Sequence, residues 1–434
     1  MGFETKKSFA KNVMFSYSNK IVTILVSFLY TFLIANYLGP EKYGLVTFFI
    51  AFVTGLSGTL GFNFLISTLS NYFPKEKSKK LFKLLMYSVL ALSTLSFLVL
   101  FLFSSPIASF IGKNNSSLLQ LSSFLILLVP SYSLLAGLFQ GFKRFGSILK
   151  VMVAESVLNL IFAFFAVVIL GLDFYGVIYA KILSVIISLV LFACYYRKLS
   201  FSSKGINRKD LKHYLFTAAP FSLIRGFEGT ALTVIIGMFI SDLSLGLYYM
   251  AQKLASLVIV TPINSIREVL LPYSLEKSSD KKIVGNYASI NLKLSLVVSI
   301  IFAVLLIAFG WLVLHFLFPK FEQSYYFLPF FAVNYILSSF SIFYVVYTSV
   351  NRLEYAAIAE FIPMVLMIGS AFFYFIPNFG VFGAIFAETA YYVSNAILLY
   401  YFLGKVGVKV EIIPRINDLK LFYFFFKKNV LKRK

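Results

Sequence analysis

Two cations interrupt long apolar runs of this 434-residue chain, each near the middle of its run. Arg225 lies about ten residues into the run 215–240, and Lys253 lies about eight residues into the run 245–270. A charged side chain at the centre of a membrane helix costs about 2.5–3.5 kcal/mol on insertion scales, so such residues generally mark functional sites. Fixed cations in a low-dielectric space stabilise an anion such as a phosphate. The two residues therefore predict an anion-binding site.

Two further ionisable residues belong to this prediction. Lys20 sits at one mouth of the first apolar run, where its long side chain can extend to water. Glu228 follows Arg225 by one helical turn, so a local i,i+3 pair is an alternative that would neutralise both. Lys253 has no acid three or four residues away. Lys253 is therefore the stronger candidate for a functional cation, and Arg225 is a candidate unless Glu228 neutralises it.

Motifs for other chemistry are missing from the sequence. His213 and His315 are about 100 residues apart, and Cys194 is the single cysteine, so no metal-ligand spacing is present. The segment 141–147, GFKRFGS, has P-loop spacing but lacks the lysine before its serine and follows no strand. We therefore predict no catalytic residue, no metal and no cofactor, and we expect that the protein is not an enzyme.

The composition indicates what must position these residues. Apolar residues make up 60% of the chain and charged residues 13%, and the mean hydropathy is +0.87. These values exclude intrinsic disorder, a secreted disulfide scaffold and an ordinary cytosolic enzyme. The net charge of +22 first suggests nucleic acid, but the basic residues lie in short bursts between apolar runs rather than in one domain. We predict an all-α polytopic membrane protein that binds no nucleic acid.

The apolar runs match the length of membrane-spanning helices. A span needs about 20 apolar residues, and a β-barrel would instead show about ten-residue alternating segments. Twelve runs fit, which gives twelve transmembrane helices. They lie near Val13–Leu38, Leu45–Ser70, Leu81–Phe103, Leu118–Phe139, Val151–Leu170, Phe174–Tyr195, Leu215–Ile240, Leu245–Leu270, Ile290–Leu312, Phe327–Val350, Tyr355–Ile376 and Val381–Leu403.

Basic residues are distributed very unevenly between the two sets of loops. Of the 39 Lys and Arg residues, we assign 32 to the termini and to the loops after even-numbered runs together with the adjoining run ends, and four to the spans. The other side carries only Lys42, Lys113 and Lys320. Positively charged loops stay on the cytoplasmic side. The sequence therefore predicts a multi-pass protein of the cell membrane with both termini in the cytoplasm.

The two halves of the chain share landmarks at a constant offset of about 202–205 residues. A six-helix repeat with both termini on one side places the halves in the same orientation, and substrates of such transporters bind between the halves. The matching pairs are Gly44 with Gly246, Glu155 with Glu360, and Gly176 with Gly380.

This repeat gives the predicted domain organisation. Residues 1–200 form an N-terminal six-helix lobe, 201–212 a cytoplasmic linker, 213–404 a C-terminal six-helix lobe and 405–434 a basic cytoplasmic tail. Lys181 and Glu388 occupy roughly matching positions in the last run of each lobe. They are expected either to neutralise one another across the bundle or to be peripheral.

Three stretches of the sequence resemble a known family. The turn YLGPEKYGL (37–45) is similar to the opening of the Wzx-type polysaccharide-biosynthesis flippases of the multidrug/oligosaccharidyl-lipid/polysaccharide (MOP) exporter superfamily. The stretch SDLSLGLYYMAQKLAS (241–256) resembles that family's turn between helices 7 and 8, with its basic residue at Lys253. GVFGAIFAE (380–388) is similar to the entry of its last helices.

The resemblance implies a MATE-like fold, in which two six-helix lobes enclose a central cavity lined by helices 1, 2, 7 and 8. It thereby implies that Lys253, Arg225 and Lys20 are substrate-binding cations of the cavity and that Glu228 is a candidate cavity acid. It also implies translocation of a polyprenyl-(pyro)phosphate-linked oligosaccharide from the inner to the outer leaflet. The expected partners are this lipid-linked sugar, membrane lipids and, as further candidates, polysaccharide-assembly enzymes. We expect a monomer. Glu228 departs from a purely cationic cavity.

Two transport alternatives stay open. A MATE-like multidrug or cation antiporter would need an unpaired acid in the cavity, and a lipid II-type flippase would differ only in its substrate. A membrane-bound polymerase or ligase would need a large external loop for sugar chemistry. Every predicted outer loop is short, which argues against such an enzyme.

Overall fold

The computed structural model describes the backbone of residues 3–60, 62, 64–66, 78–142, 144–197, 199–201, 208–264, 281–350 and 352–413. Side chains are described in the same ranges except for 3–21, 145 and 208–218. Lys20, most of the predicted linker and the tail from residue 414 therefore lie wholly or partly outside the described residues.

Helices account for most of the described chain. We number the α-helices in chain order. They are α1 Phe3–Thr59, α2 Lys79–Leu102, α3 Ser104–Phe110, α4 Ser116–Gly141, α5 Phe145–Ala163, α6 Asp173–Tyr196, α7 Arg208–Phe239, α8 Asp242–Ala255, α9 Lys281–Leu317, α10 Leu328–Leu337, α11 Phe343–Ser349, α12 Leu353–Ser370 and α13 Ile376–Val406. Five π or 3₁₀ segments extend or join them, at Phe164–Ile169, Ser256–Val260, Pro319–Phe327, Ser338–Ile342 and Ala371–Phe375.

Ten segments of the described chain are long and apolar enough to cross a membrane. Lys281–Leu317, which is 37 residues long, is one continuous helix. Val22–Thr59 and Leu353–Val406, which are 38 and 54 residues long, also exceed the length of one span. Each contains one glycine with non-helical backbone angles, Gly39 and Gly380. Dividing each segment at its glycine leaves two pieces of span length. The ten segments thus agree with the twelve predicted spans, and the chain is a polytopic, all-α membrane protein.

The break at Gly39 has a clear local cause. Its φ of 73° lies in the left-handed region, which glycine adopts without the clash that a Cβ atom would create. Pro40 follows directly, and proline fits the first turn of a helix because its missing N–H needs no partner there. One helix therefore ends and the next begins within two residues, where the sequence predicts the first outer loop.

Two element boundaries differ from the predicted ones. α7 begins at Arg208, inside the predicted linker 201–212, so part of that linker is helical. The predicted tenth run is helical but not uniform, because 3₁₀ geometry at Ser338–Ile342 separates α10 from α11. The division into two lobes remains a prediction.

The start of the predicted tail, residues 407–413, packs against α9. Lys293 donates a 2.7 Å hydrogen bond to Glu411, and the Lys281 ammonium donates to the Val406 carbonyl at 2.9 Å. Val408 and Val410 are buried beside the same helix. The predicted boundary at residue 405 therefore falls inside a packed segment.

Candidate substrate site

Two glycines of the internal repeat lie where the N-terminal and C-terminal halves cross. A Cβ atom built on Gly246 would lie 1.9 Å from the carbonyl oxygen of Pro40. A Cβ on Gly44 would lie 2.3 Å from the carbonyl oxygen of Asp242. Small residues allow such close backbone approach between membrane helices. The repeat landmarks Gly44 and Gly246 thus form the crossing of α1 and α8.

The same contact between halves continues along α1 and α7. The hydroxyls of Thr59 and Thr230 are 2.8 Å apart, and Thr59 also donates a 3.1 Å hydrogen bond to the carbonyl of Gly226. A Cβ on Gly226 would lie 2.1 Å from the carbonyl carbon of Gly58. Hydroxyl and glycine contacts therefore join the C-terminal end of α1 to the middle of α7.

Basic residues between the spans strengthen this contact. Lys113, whose side chain is only 5% exposed, donates to Asp242 at 2.6 Å and to the carbonyl of Ile240 at 2.9 Å. Lys320 donates to the carbonyl of Asn36 at 3.3 Å. All three hydrogen bonds join the two halves of the chain. The halves are therefore closed against each other at the end that carries Lys113 and Lys320, which is the predicted external end.

A cavity of about 400 Å³ lies between α1, α7, α8 and α13. Within the described part of the chain, its wall includes two glutamates and no lysine or arginine. The polar residues that line it are Thr54, Glu228, Thr233, Tyr248, Tyr249, Gln252 and Glu388. A volume of this size accepts a small molecule or a chemical group of a larger one.

The two cavity glutamates have different surroundings. Asn334 donates a 3.2 Å hydrogen bond to Glu388, and Thr389 donates to Asn334 at 2.6 Å, so Glu388 belongs to a polar network. Glu228 has no hydrogen bond or ion pair among the described residues, and it lies one turn from Arg225 without forming an ion pair with it. The local Arg225–Glu228 pair that the sequence allows is not formed.

Arg225 instead faces a buried glutamate on another helix. Its Nε atom lies 3.8 Å from Oε1 of Glu360, and its guanidinium carbon lies 5.2 Å from the ring centre of Tyr344. The arginine side chain is 54% exposed, whereas Glu360 is 1% exposed. Within the described residues, Arg225 donates no hydrogen bond. Most of its donors are therefore available to an anion.

Hydrogen bonds hold Glu360 in place. Tyr344 and Asn395 both donate to its Oε2 atom, the latter at 2.7 Å. Asn395 also donates to the carbonyl of Ala359 at 2.9 Å. Because these bonds occupy Oε2, Oε1 is the atom left to face Arg225. Side chains from α11, α12 and α13 thus position the arginine of α7.

Lys253 lies at the centre of its span, eleven residues from each end of Asp242–Asn264. It is half-buried and forms no hydrogen bond or ion pair with another described residue. Lys181 lies within electrostatic range of it and pairs with Glu155 at 2.6 Å. Lys181 is therefore not neutralised by Glu388, and its partner is the repeat counterpart of Glu360.

The predicted site residues are thus only partly brought together. Arg225 and Glu228 lie on one helix beside the cavity, Lys253 lies on the next helix, and the side chain of Lys20 lies outside the described residues. Sequence reasoning did not assign Glu360 to the site, although it had marked the residue as a repeat landmark. Its apolar neighbours in sequence gave no indication of the ion pair with Arg225.

Comparison with solved structures supports this fold. An outward-facing multidrug resistance MATE family transporter of the MOP superfamily matches with a TM-score of 0.68 and 15% identity, over 92% of this chain and 96% of that one. The inward-facing conformation reported under the same description matches with a TM-score of 0.62 and 14% identity, over 91% of this chain and 98% of that one. A MOP superfamily transporter from Pyrococcus furiosus is described as having a binding pocket of reverse polarity. It matches with a TM-score of 0.68 and 14% identity, over 92% of this chain and 96% of that one.

Sequence comparison identifies the family directly. No curated protein sequence matches this chain. A family model described as "Polysaccharide biosynthesis protein" matches residues 9–277, which include the glycine crossing, Arg225 and Lys253. Because this match covers more than half of the chain, the chain belongs to the polysaccharide biosynthesis protein family.

Proposed function

We propose that this protein is a flippase that moves a polyprenyl-(pyro)phosphate-linked oligosaccharide from the inner to the outer leaflet of the cell membrane. The single observation that carries the proposal is the half-exposed side chain of Arg225 inside a membrane span of a polysaccharide biosynthesis family member. Hydrophilic sugars cannot cross the hydrocarbon core unaided, so a polar path through the protein is needed.

Arg225 suits the (pyro)phosphate group of such a lipid. A guanidinium presents planar pairs of N–H donors that match phosphate oxygens. Cation–π contact with Tyr344 orients the group without using those donors. The proposal therefore assigns phosphate recognition to Arg225.

Lys253 supplies a second positive charge in the proposed path. It lies on the helix next to Arg225's in sequence and has no described counter-ion. An ammonium in the middle of a span is costly without an anion, so a bound phosphate stabilises it. Lys20 is proposed as a third contact, at the cytoplasmic mouth.

The proposed direction follows from topology. With both termini in the cytoplasm, the halves are closed against each other at the external end, where Lys113 meets Asp242. A flippase in this state receives its substrate from the cytoplasmic side. Opening of the contact between the halves would then release the lipid-linked sugar to the outer leaflet.

A second candidate function is cation transport of the MATE type. The observation that favours it is the cavity wall, which carries Glu228 and Glu388 but no described cation. Two carboxylates in a low-dielectric cavity attract a cationic substrate or a coupling ion. A lipid II-type substrate is also compatible with phosphate recognition.

The test is a leaflet-sidedness assay with purified protein in liposomes. Polyprenyl-pyrophosphate oligosaccharide is placed in both leaflets, and an impermeant lectin or glycosidase reports the fraction that becomes accessible. We expect protein-dependent translocation of this lipid. A parallel assay of organic-cation uptake distinguishes the second candidate: cation uptake without lipid translocation would replace the flippase proposal.

A further inference from the structure

The carboxylate of Glu360 has two differently used oxygens. Oε2 accepts hydrogen bonds from Tyr344 and Asn395, which fix the carboxylate on α12. Oε1 is left facing Nε of Arg225 at 3.8 Å, and no described residue donates a hydrogen bond to it. A separation of 3.8 Å is too long for a hydrogen bond, so the contact is purely electrostatic.

The burial of the two partners is strongly unequal. Glu360 is 1% exposed and cannot leave its hydrogen bonds, whereas Arg225 is 54% exposed. An arriving anion therefore contacts the exposed part of the Arg225 side chain, while the carboxylate of Glu360 stays in place opposite it. Glu228, one turn away, also has a carboxyl group but forms no ion pair with Arg225.

We propose that Glu360 is an internal counter-anion that competes with the substrate phosphate for Arg225 and so permits release of the transported lipid. This inference rests on the proposed function. In the empty protein the carboxylate partly neutralises the membrane-embedded arginine. When the phosphate binds, Arg225 shares its charge between two anions, and the affinity is lower than an isolated guanidinium would give. A transporter needs such a limit, because a substrate bound too tightly does not leave.

Glu360→Gln tests the charge while preserving the shape and the capacity to accept from Tyr344 and Asn395. Purified full-length protein in detergent is titrated with a fluorescent short-chain polyprenyl pyrophosphate. We expect Glu360→Gln to bind about tenfold more tightly than the wild type, which corresponds to about 1.4 kcal/mol. In liposomes the same variant should have a lower KM and a lower maximal translocation rate.

Two variants separate this role from a structural one. Glu354→Gln removes an exposed carboxylate of the same helix, paired with Arg352 at 3.0 Å, and should change neither affinity nor rate. Tyr344→Phe removes one of the two hydrogen bonds that fix Glu360 but keeps the charge of the carboxylate, so, unlike Glu360→Gln, it should not tighten binding.

The outcomes distinguish the inference from the function on which it rests. Tighter binding with slower translocation in Glu360→Gln supports the counter-anion. If the wild type binds and translocates the lipid but Glu360→Gln binds the probe with unchanged or weaker affinity, the counter-anion role of Glu360 alone is overturned. If neither wild type nor Glu360→Gln binds the pyrophosphate probe, the proposed function and this inference both fail.

Discussion

Replacing Gly246 by alanine should separate the two halves of the protein at the α1–α8 crossing. The new Cβ atom would lie 1.9 Å from the carbonyl oxygen of Pro40, whereas real contacts of this kind stay above 3.0 Å. The gap must therefore widen by about 1.1 Å. The atoms of Pro40 that the new Cβ would meet all belong to its backbone, so no side-chain rotation relieves the clash. Gly369→Ala is the matched control, because a Cβ there meets no atom within 4 Å.

The magnitude follows from the cost of overpacking. Extra methyl groups in packed interiors cost about 1–3 kcal/mol, and here only the state with the crossing closed contains the clash. The closed-to-open ratio should therefore fall about 5-fold to 150-fold. Transport requires both states, so Gly246→Ala should also translocate substrate more slowly than the parent.

Disulfide formation between Thr59→Cys and Thr230→Cys measures this shift, because the two native hydroxyl oxygens are 2.8 Å apart in the closed state. The background is Cys194→Ser, which removes the single native cysteine. Adding Gly246→Ala should slow cross-linking under mild oxidation, and adding Gly369→Ala should not. Equal cross-linking rates in all three proteins would refute the proposed role of the crossing.

Three further predictions follow. Lys113→Ala removes the buried ammonium that bonds Asp242, and this should slow formation of the disulfide between positions 59 and 230 about tenfold. An unchanged rate of disulfide formation would show that the bond does not hold the halves together. Lys253→Ala should reduce lipid translocation about tenfold without loss of expression, and Lys253→Arg should retain part of it; wild-type translocation by the alanine variant would remove Lys253 from the path. Topology reporters fused after Lys209 and Lys281 should read cytoplasmic, and those fused after Lys113 and Lys320 should read external. A cytoplasmic signal after Lys113 would disprove the predicted helix count before that residue.

Much of the fold is predictable from the sequence because its determinants are local. Apolar runs of span length identify the helices, and the Gly39–Pro40 pair marks the first break between spans. The repeat offset between Gly44 and Gly246 also anticipates that these positions correspond, and the structure places them in contact. Gly44 and Gly246 lie close together because both flank the axis that the repeat predicts between the halves.

The candidate site was less accessible to sequence reasoning because its partners are far apart along the chain. Glu228 was the nearest acid to Arg225 in sequence, but three-dimensional packing places Glu360 opposite it, 135 positions later. Helical spacing identifies neighbours on one helix only. Likewise, nothing local predicts that Lys181 pairs with Glu155. The repeat correspondence of Glu155 and Glu360 was the one available signal, since each proves to face a basic residue.

The most direct test of the central claim combines translocation and charge in one liposome measurement. Wild type and the double variant Arg225→Ala with Glu360→Gln, which removes the ion pair without leaving a buried unpaired charge, are compared for translocation of polyprenyl-pyrophosphate oligosaccharide. Our account predicts rapid translocation by the wild type and a loss of at least about tenfold in the double variant, with no uptake of organic cations by either. Absence of lipid translocation by the wild type, or full activity of the double variant, would contradict it.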